Sequence, residues 1–119
     1  MKSLIHLSGL LFWMCSAVLT QASVGAAFTT SAVKTDSFHV SGNCGMCKSH
    51  IEDALKNVKG IESSNWDKEA KKITVTYDPS VIRLLEIKQL IAAAGYDTDE
   101  IKATAERYNG LPGCCKYER

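Results

Sequence analysis

The sequence predicts an α+β fold in which two helices cover one face of an antiparallel sheet. Three observations predict it: stretches of alternating apolar residues, two stretches with helical apolar spacing, and turn residues between them. Their order along the chain is β-α-β-β-α, followed by a last strand whose signal is weak. This order is typical of a ferredoxin-like βαββαβ sandwich.

The first predicted strand and the first predicted helix meet at a short turn. Phe38 and Val40 alternate with polar residues, as expected of a half-buried strand, and Gly42 ends the alternation. Beyond it, apolar residues recur three and four positions apart, which predicts an amphipathic helix. These residues are Ile51, Ala54, Leu55 and Val58. Gly60 then supplies a predicted helix stop.

A predicted hairpin and a second helix complete the pattern. Residues 61–66 predict a second strand, a charged loop follows, and the strict alternation of residues 73–77 predicts a third strand. The second helix ends before Gly95. Its inward face consists of Leu84, Ile87, Leu90, Ile91 and Ala94. Residues 98–104 leave a short fourth strand and a polar helical turn open as alternatives.

The first 26 residues have the composition of a secretory signal peptide. Lys2 is their single charged residue, residues 4–19 form an apolar run, and small residues follow where cleavage is expected. We therefore predict an exported, periplasmic protein from which residues 1–26 are removed. A retained membrane anchor and a lipoprotein carrying its lipid on Cys15 are the alternatives.

The remaining chain divides into three predicted segments. Residues 27–35 predict a flexible lead-in, residues 36–105 hold the predicted domain, and residues 106–119 form a C-terminal tail. The full chain has 14 basic and 13 acidic residues, and removal of Lys2 with the leader leaves 13 of each. A neutral domain gives no electrostatic reason to expect a nucleic acid or, after signal cleavage, a membrane as partner. We expect a monomer.

Four cysteines follow the predicted leader in two local pairs, Cys44 with Cys47 and Cys114 with Cys115. A disulfide within either pair would close almost no loop and would add little stability. The first pair spans the predicted helix start, where free amide groups and the helix dipole lower the pKa of a thiol. Two thiolates in one turn can bind a soft ion such as Cu(I), with Zn(II) also possible. They can also cycle between dithiol and disulfide.

Thiol–disulfide exchange is the alternative from a different functional class. A C-x-x-C at a helix start is also the thioredoxin pattern, but the Trp and Pro usual for that site are missing beside Cys44. Lys48 follows the second cysteine, where covalent haem attachment needs His. The sequence offers no acid–base pair or activated serine, so we predict a binding protein and not an enzyme. A structural domain with a vestigial motif is a third alternative.

Residues 36–97 resemble the heavy-metal-associated domain, the fold of copper chaperones, of the periplasmic mercuric-ion-binding protein and of the N-terminal domains of metal-pumping P-type ATPases. The resemblance is carried by residues 38–40, 44–47, 51–55, 60–61, 73–79 and 91–96. It implies a βαββαβ fold and a site formed by Cys44 and Cys47 for Cu(I), or for another soft ion such as Hg(II) or Zn(II). It also implies delivery to a P-type ATPase or another cysteine-bearing acceptor.

Three features depart from the family pattern, and one of them is the weak signal of the last strand. The family loop usually reads Gly-Met-Thr-Cys, with its Met packed under the loop, whereas this chain has the shorter Gly42-Asn43-Cys44. The geometry of the loop is therefore left open. Cys114 and Cys115 are additional, and three hypotheses apply to them. They fold back as third and fourth thiolates, form a second capture site, or remain an inert pair.

Three further residues are candidates for an indirect role at the site. Tyr96 follows Gly95 directly, and in the family this position lies over the metal loop, so we predict that its hydroxyl tunes the site. The alternative is an aromatic side chain that only fills the core. Lys48 is predicted to stabilise an anionic two-thiolate complex, with a solvated lysine as the alternative. His50 is one helical turn beyond Cys47, and we expect it to be solvated.

Overall fold

The computed structural model describes Gly25 and residues 32–119. The predicted signal peptide, residues 1–26 with Cys15, lies outside the described residues except for Gly25, and so does most of the predicted lead-in. Within the described part of the chain, no helix is both long and apolar enough to cross a membrane.

Three antiparallel strands form the sheet in the order β1-β3-β2. They are β1 (Lys34–His39), β2 (Ile61–Asp67) and β3 (Lys72–Tyr77). In the central strand, Ile73 pairs with Phe38 on one side and with Trp66 on the other, and all three side chains are buried. The alternation seen in the sequence thus predicts the inner face of the sheet correctly, because side chains on a strand point to opposite faces in turn.

Strand β1 begins earlier than the sequence pattern indicates. It starts at Lys34, so the last two residues of the predicted flexible lead-in belong to the sheet. Their partners are Tyr77 and Thr76, and the Thr35 hydroxyl lies 2.9 Å from that of Thr76. The sequence pattern does not predict this pairing, because the side chains here are polar and give no apolar alternation. The pairing rests on backbone hydrogen bonds that any side chain permits.

The weakly predicted fourth strand is reduced to one isolated bridge, between Val40 and Thr98. Beyond it the chain turns back on itself. The amide of Thr98 donates to the carbonyl of Ile101 at 2.7 Å, and the Thr98 hydroxyl accepts from the amide of Ile101 at 2.9 Å. These local bonds occupy the groups that a ladder would use, so the strand stops after one residue.

Helices α1 (Gly45–Leu55) and α2 (Leu84–Ala93) pack on the inner face of the sheet, as predicted. Their buried residues join the sheet in one core, which includes Ile51, Leu55, Ile87 and Ile91. Helix α2 ends shortly before the predicted glycine. Gly95 takes the left-handed φ of 106° that favours glycine.

The end of helix α1 differs from the prediction. The helix stops at Leu55, five residues before the predicted stop at Gly60. Lys56 is extended and Asn57 takes a left-handed φ of 59°, which breaks the helical path first. Asparagine tolerates this conformation better than most residues. Gly60, with a φ of 92°, turns the chain into β2.

The predicted C-terminal tail is folded onto the domain. It forms a short helix α3 (Ala105–Asn109), whose first turn is capped by the Thr104 hydroxyl, and a 3-10 turn (Gly113–Cys115). Leu111, Cys115 and Tyr117 are buried in the same core as the two long helices. The C-terminal segment, residues 105–119, is therefore part of the domain.

Candidate metal centre

Cys44 and Cys47 meet where the chain enters helix α1. Cys44 occupies the N-cap position of the helix, and Cys47 lies in its first turn. Their Sγ atoms are 3.4 Å apart, with Cys47 fully buried and Cys44 half-buried. The backbone amide of Asn43 donates to the Cys47 sulfur at 3.3 Å, which holds this side chain against the loop.

The short loop before Cys44 is held from below by Trp66. A Cβ on Gly42 would lie 2.8 Å from Cζ2 of Trp66, so only glycine fits between this ring and the loop. The indole nitrogen donates to the carbonyl of Val40 at 3.0 Å, which fixes the ring. Trp66 thus supports the loop from the sheet, while Met46 is 47% exposed and does not pack beneath it.

The environment of Cys44 favours the thiolate. Its sulfur faces the amide of Cys47 outside strict hydrogen-bond geometry, and the positive end of this amide dipole is the largest cause that lowers the pKa of Cys44 to about 6. Partial burial opposes this shift, and contacts with the neighbouring thiols act in the same direction as the amide. At neutral pH Cys44 is therefore a ready ligand or nucleophile.

The C-terminal segment brings its two cysteines to the same place. The Cys44 sulfur lies 3.6 Å from that of Cys114 and 3.8 Å from that of Cys115. The sulfurs of Cys44, Cys47 and Cys115 all lie within 4.8 Å of one another. Of the three hypotheses for the pair, this geometry favours the one in which it folds back onto Cys44 and Cys47.

Cys114 and Cys115 differ although they are neighbours in the sequence. Cys115 is fully buried, and desolvation raises the pKa of its thiol to about 12. Cys114 is exposed, and the contact of its sulfur with that of Cys44 raises the pKa of Cys114. Its sulfur also lies 3.9 Å from Sδ of Met46. One thiol therefore faces the core and the other faces solvent at the mouth of the cluster.

Tyr117 and Arg119 anchor the C-terminal segment to the end of helix α2. The Tyr117 hydroxyl donates to the carbonyl of Gly95 at 2.8 Å and accepts from the amide of Asp97 at 2.9 Å. Arg119 makes two hydrogen bonds to the Asp97 carboxylate and a third to the carbonyl of Ala103. These contacts hold the segment that carries Cys115 against the core.

Tyr96 lies beneath the cluster and is fully buried. Its hydroxyl is 3.0 Å from Nδ1 of His50. Burial, with smaller contributions from Cys115 and Cys47, raises the pKa of Tyr96 well above its usual range, so the hydroxyl stays protonated. Tuning of the site by this hydroxyl stays a prediction. His50, which we expected to be solvated, is half-buried and partnered instead.

Lys48 points away from the sulfurs. Its ammonium donates to the Glu52 carboxylate and the Asn65 amide oxygen, each at 2.6 Å, and to the carbonyl of Trp66 at 2.8 Å. These partners fix α1 on β2. Among the described residues these bonds do not reach a sulfur, and stabilisation of a thiolate complex by Lys48 stays a prediction.

The sequence does not predict the structural role of Asp97, Tyr117 and Arg119. None carries a recognisable motif, and their contacts span up to 22 residues. One signal was available for Tyr117, because residues two apart in an extended segment share a face. Cys115 and Tyr117 have this spacing, and both are buried.

Comparison with known proteins identifies a family whose model matches part of this chain. Residues 37–97 match the family model described as the heavy-metal-associated domain. The copper chaperone CopZ of Staphylococcus aureus is 38% identical over 55 residues, which are 46% of this chain and 81% of that protein. A zinc-transporting ATPase of Synechocystis is 36% identical over 76 residues, 63% of this chain and only 10% of the ATPase.

A solved structure is similar in fold. Oxidized MerP from Ralstonia metallidurans CH34 has a TM-score of 0.54 and 25% sequence identity, and the match covers 57% of this chain and 96% of that one. The matched family segment ends at residue 97. Cys114, Cys115 and their anchors Tyr117 and Arg119 lie beyond it.

Proposed function

Because this chain belongs to the heavy-metal-associated domain family, we propose that it carries a soft metal ion, Cu(I) before Zn(II) or Hg(II), and passes it on by thiolate exchange. The observation that supports this most directly is the 3.4 Å approach of the Cys44 and Cys47 sulfurs at a helix start. Soft thiolates select Cu(I) in preference to hard cations such as Mg²⁺ or Ca²⁺. The role is that of a metallochaperone or scavenger, and we infer no catalysis.

The transfer step follows from the chemistry of the two thiolates. A thiolate of the acceptor attacks the bound ion, so a new metal–sulfur bond forms before one of the original two breaks. The departing sulfur of Cys44 or Cys47 leaves with the electron pair of the broken metal–sulfur bond, and the oxidation state of the ion does not change. A cysteine-bearing acceptor is required, and a metal-transporting P-type ATPase is the partner we propose. We also propose that the protein acts as a monomer after export to the periplasm.

Metal titration tests this proposal. Reduced protein is titrated anaerobically with Cu(I), Zn(II) and Hg(II) against chelators of known affinity, with Cys44→Ser/Cys47→Ser as the test variant. We expect the variant to lose at least ~1,000-fold in Cu(I) affinity, which corresponds to about 4 kcal/mol. Equal Cu(I) affinity in both proteins would refute the proposal. Tighter binding of Zn(II) or Hg(II) than of Cu(I), relative to the chelators, would mean that the protein carries that ion and not Cu(I).

A thiol–disulfide oxidoreductase is the second candidate, because a thiol with a pKa of about 6 lies beside a second thiol. The attacking thiolate in such an enzyme has this character. A turnover assay with a protein disulfide substrate and glutathione as reductant separates the two functions. Rapid turnover without selective Cu(I) binding would favour the redox function.

A further inference from the structure

The C-terminal segment changes the number of sulfur atoms that face the ion. We propose that Cys115 is a third ligand, so that the centre is a three-sulfur site closed by residues 111–119 of the same chain. This inference rests on the proposed function, because it adds a ligand to the ion held by Cys44 and Cys47. It assigns a role to a segment that lies outside the matched family region, residues 37–97.

The spacing of the sulfurs is the first argument. With a metal–sulfur distance of about 2.3 Å, two sulfurs opposite each other on a linear ion lie about 4.6 Å apart, and three in a trigonal plane lie about 4.0 Å apart. The distances from Cys44 are 3.4 Å to Cys47 and 3.8 Å to Cys115. Both are nearer the trigonal value than the linear one.

The burial of Cys115 is the second argument. Its side chain is fully buried, and it points toward two other sulfurs within 4.8 Å. Cys114, by contrast, is exposed and touches Cys44 from the solvent side. Of the two neighbouring cysteines, Cys115 is therefore the one that an ion between Cys44 and Cys47 would contact. Cys114 serves as the matched control.

The rigidity of the closing segment is the third argument. A third ligand contributes to affinity only when the fold has already positioned it, because its ordering cost is then met before the ion binds. Tyr117 and Arg119 supply four hydrogen bonds to Gly95 and Asp97. Asn43, which directly precedes Cys44, donates to the carbonyl of Lys116 at 3.0 Å. The segment is tied to both sides of the cluster.

The test measures coordination number and affinity together. Cu(I)-loaded wild type, Cys115→Ser and Cys114→Ser are compared by X-ray absorption at the copper edge and by chelator competition. We expect three copper–sulfur contacts in wild type and in Cys114→Ser, and two in Cys115→Ser. The affinity of Cys115→Ser should fall at least ~10-fold, since even the loss of a group that orients a ligand typically costs that much.

A second variant keeps the test decisive if Cys115→Ser does not fold, as judged by circular dichroism. Tyr117→Phe/Arg119→Ala retains all four thiols but releases the segment, and we expect a mixture of two- and three-coordinate copper. Two contacts in wild type, or unchanged affinity and coordination in both variants, would overturn the inference. The outcomes remain separable, because loss of Cu(I) binding in Cys44→Ser/Cys47→Ser alone upholds the proposed function while this inference fails.

Discussion

The cysteine loop, residues 40–47, and the C-terminal segment place thiols at one point by different means. The loop is positioned by regular structure, since Cys44 occupies the N-cap position of helix α1 and Trp66 of β2 supports the turn. The C-terminal segment is positioned by side-chain anchors, chiefly Tyr117 and Arg119. The first arrangement persists as long as the fold does. The second depends on a few long-range side-chain contacts, which single substitutions can remove one at a time.

The largest expected contrast between the two regions is in thiol reactivity. In metal-free protein at pH 7.5, we expect iodoacetamide to modify Cys44 at least ~1,000 times faster than Cys115, because the thiolate reacts and Cys115 is both protonated and buried. Fragment-ion mass spectrometry of timed samples separates the individual cysteines. Similar rates would mean that the C-terminal segment opens freely, and the two regions would then not differ as described.

The same two thiols should affect stability in opposite directions with pH. The pKa of Cys44 in the fold, about 6, is below the ordinary value of 9.0, so its contribution is present above pH 9 and is lost as pH falls through 6. The pKa of Cys115, about 12, is above 9.0, so its contribution is present below pH 9 and is lost as pH rises through 12. Urea unfolding of Cys44→Ser and Cys115→Ser across this range measures each contribution.

The next largest effect is on the core that carries the loop. Ile51→Ala should lower the free energy of unfolding by about 3 kcal/mol, because Ile51 is fully buried between helix α1 and the sheet. Leu111→Ala in the C-terminal segment should cost less and should mainly speed amide hydrogen exchange near Tyr117. Equal losses from both substitutions would show that the segment is as integral to the fold as the helix.

A smaller effect is expected where the loop passes over Trp66. Gly42→Ala should cost about 2 kcal/mol and should weaken Cu(I) binding, because the new Cβ meets the indole ring at 2.8 Å. Gly45→Ala is the matched control, since a Cβ at Gly45 has no atom within 4 Å. Cu(I) affinity is measured by chelator competition and the free energy of unfolding by urea, for both variants. A Gly42→Ala protein that behaves like its control would show that the loop is not fixed by Trp66.

The smallest effect is expected at the anchor of the C-terminal segment. Arg119→Ala should cost about 1 kcal/mol, because its partner Asp97 keeps a hydrogen bond from the amide of Ala103. Arg107→Ala, at an exposed position on α3, is the control. Amide exchange of residues 111–119 should rise in Arg119→Ala only. Identical exchange in the two variants would remove Arg119 from the anchor.

The sequence alone determined the three strands, the two long helices and the approach of Cys44 to Cys47. Each of these follows from local spacing, because apolar periodicity sets the buried face and a C-x-x-C at a helix start brings two thiols into one turn. The boundaries at Lys34 and Leu55 were missed, because backbone pairing and a single left-handed Asn57 leave no periodic signal.

Only the tertiary structure decided where Cys114 and Cys115 lie and which of the two is buried. The sequence left three hypotheses open for the pair, because two adjacent cysteines on a polar segment carry no information about what lies 70 residues away. Contacts of Tyr117 and Arg119 with the end of helix α2 fix which thiol enters the core. Such long-range side-chain contacts depend on the whole fold being in place, and local pattern therefore cannot reveal them.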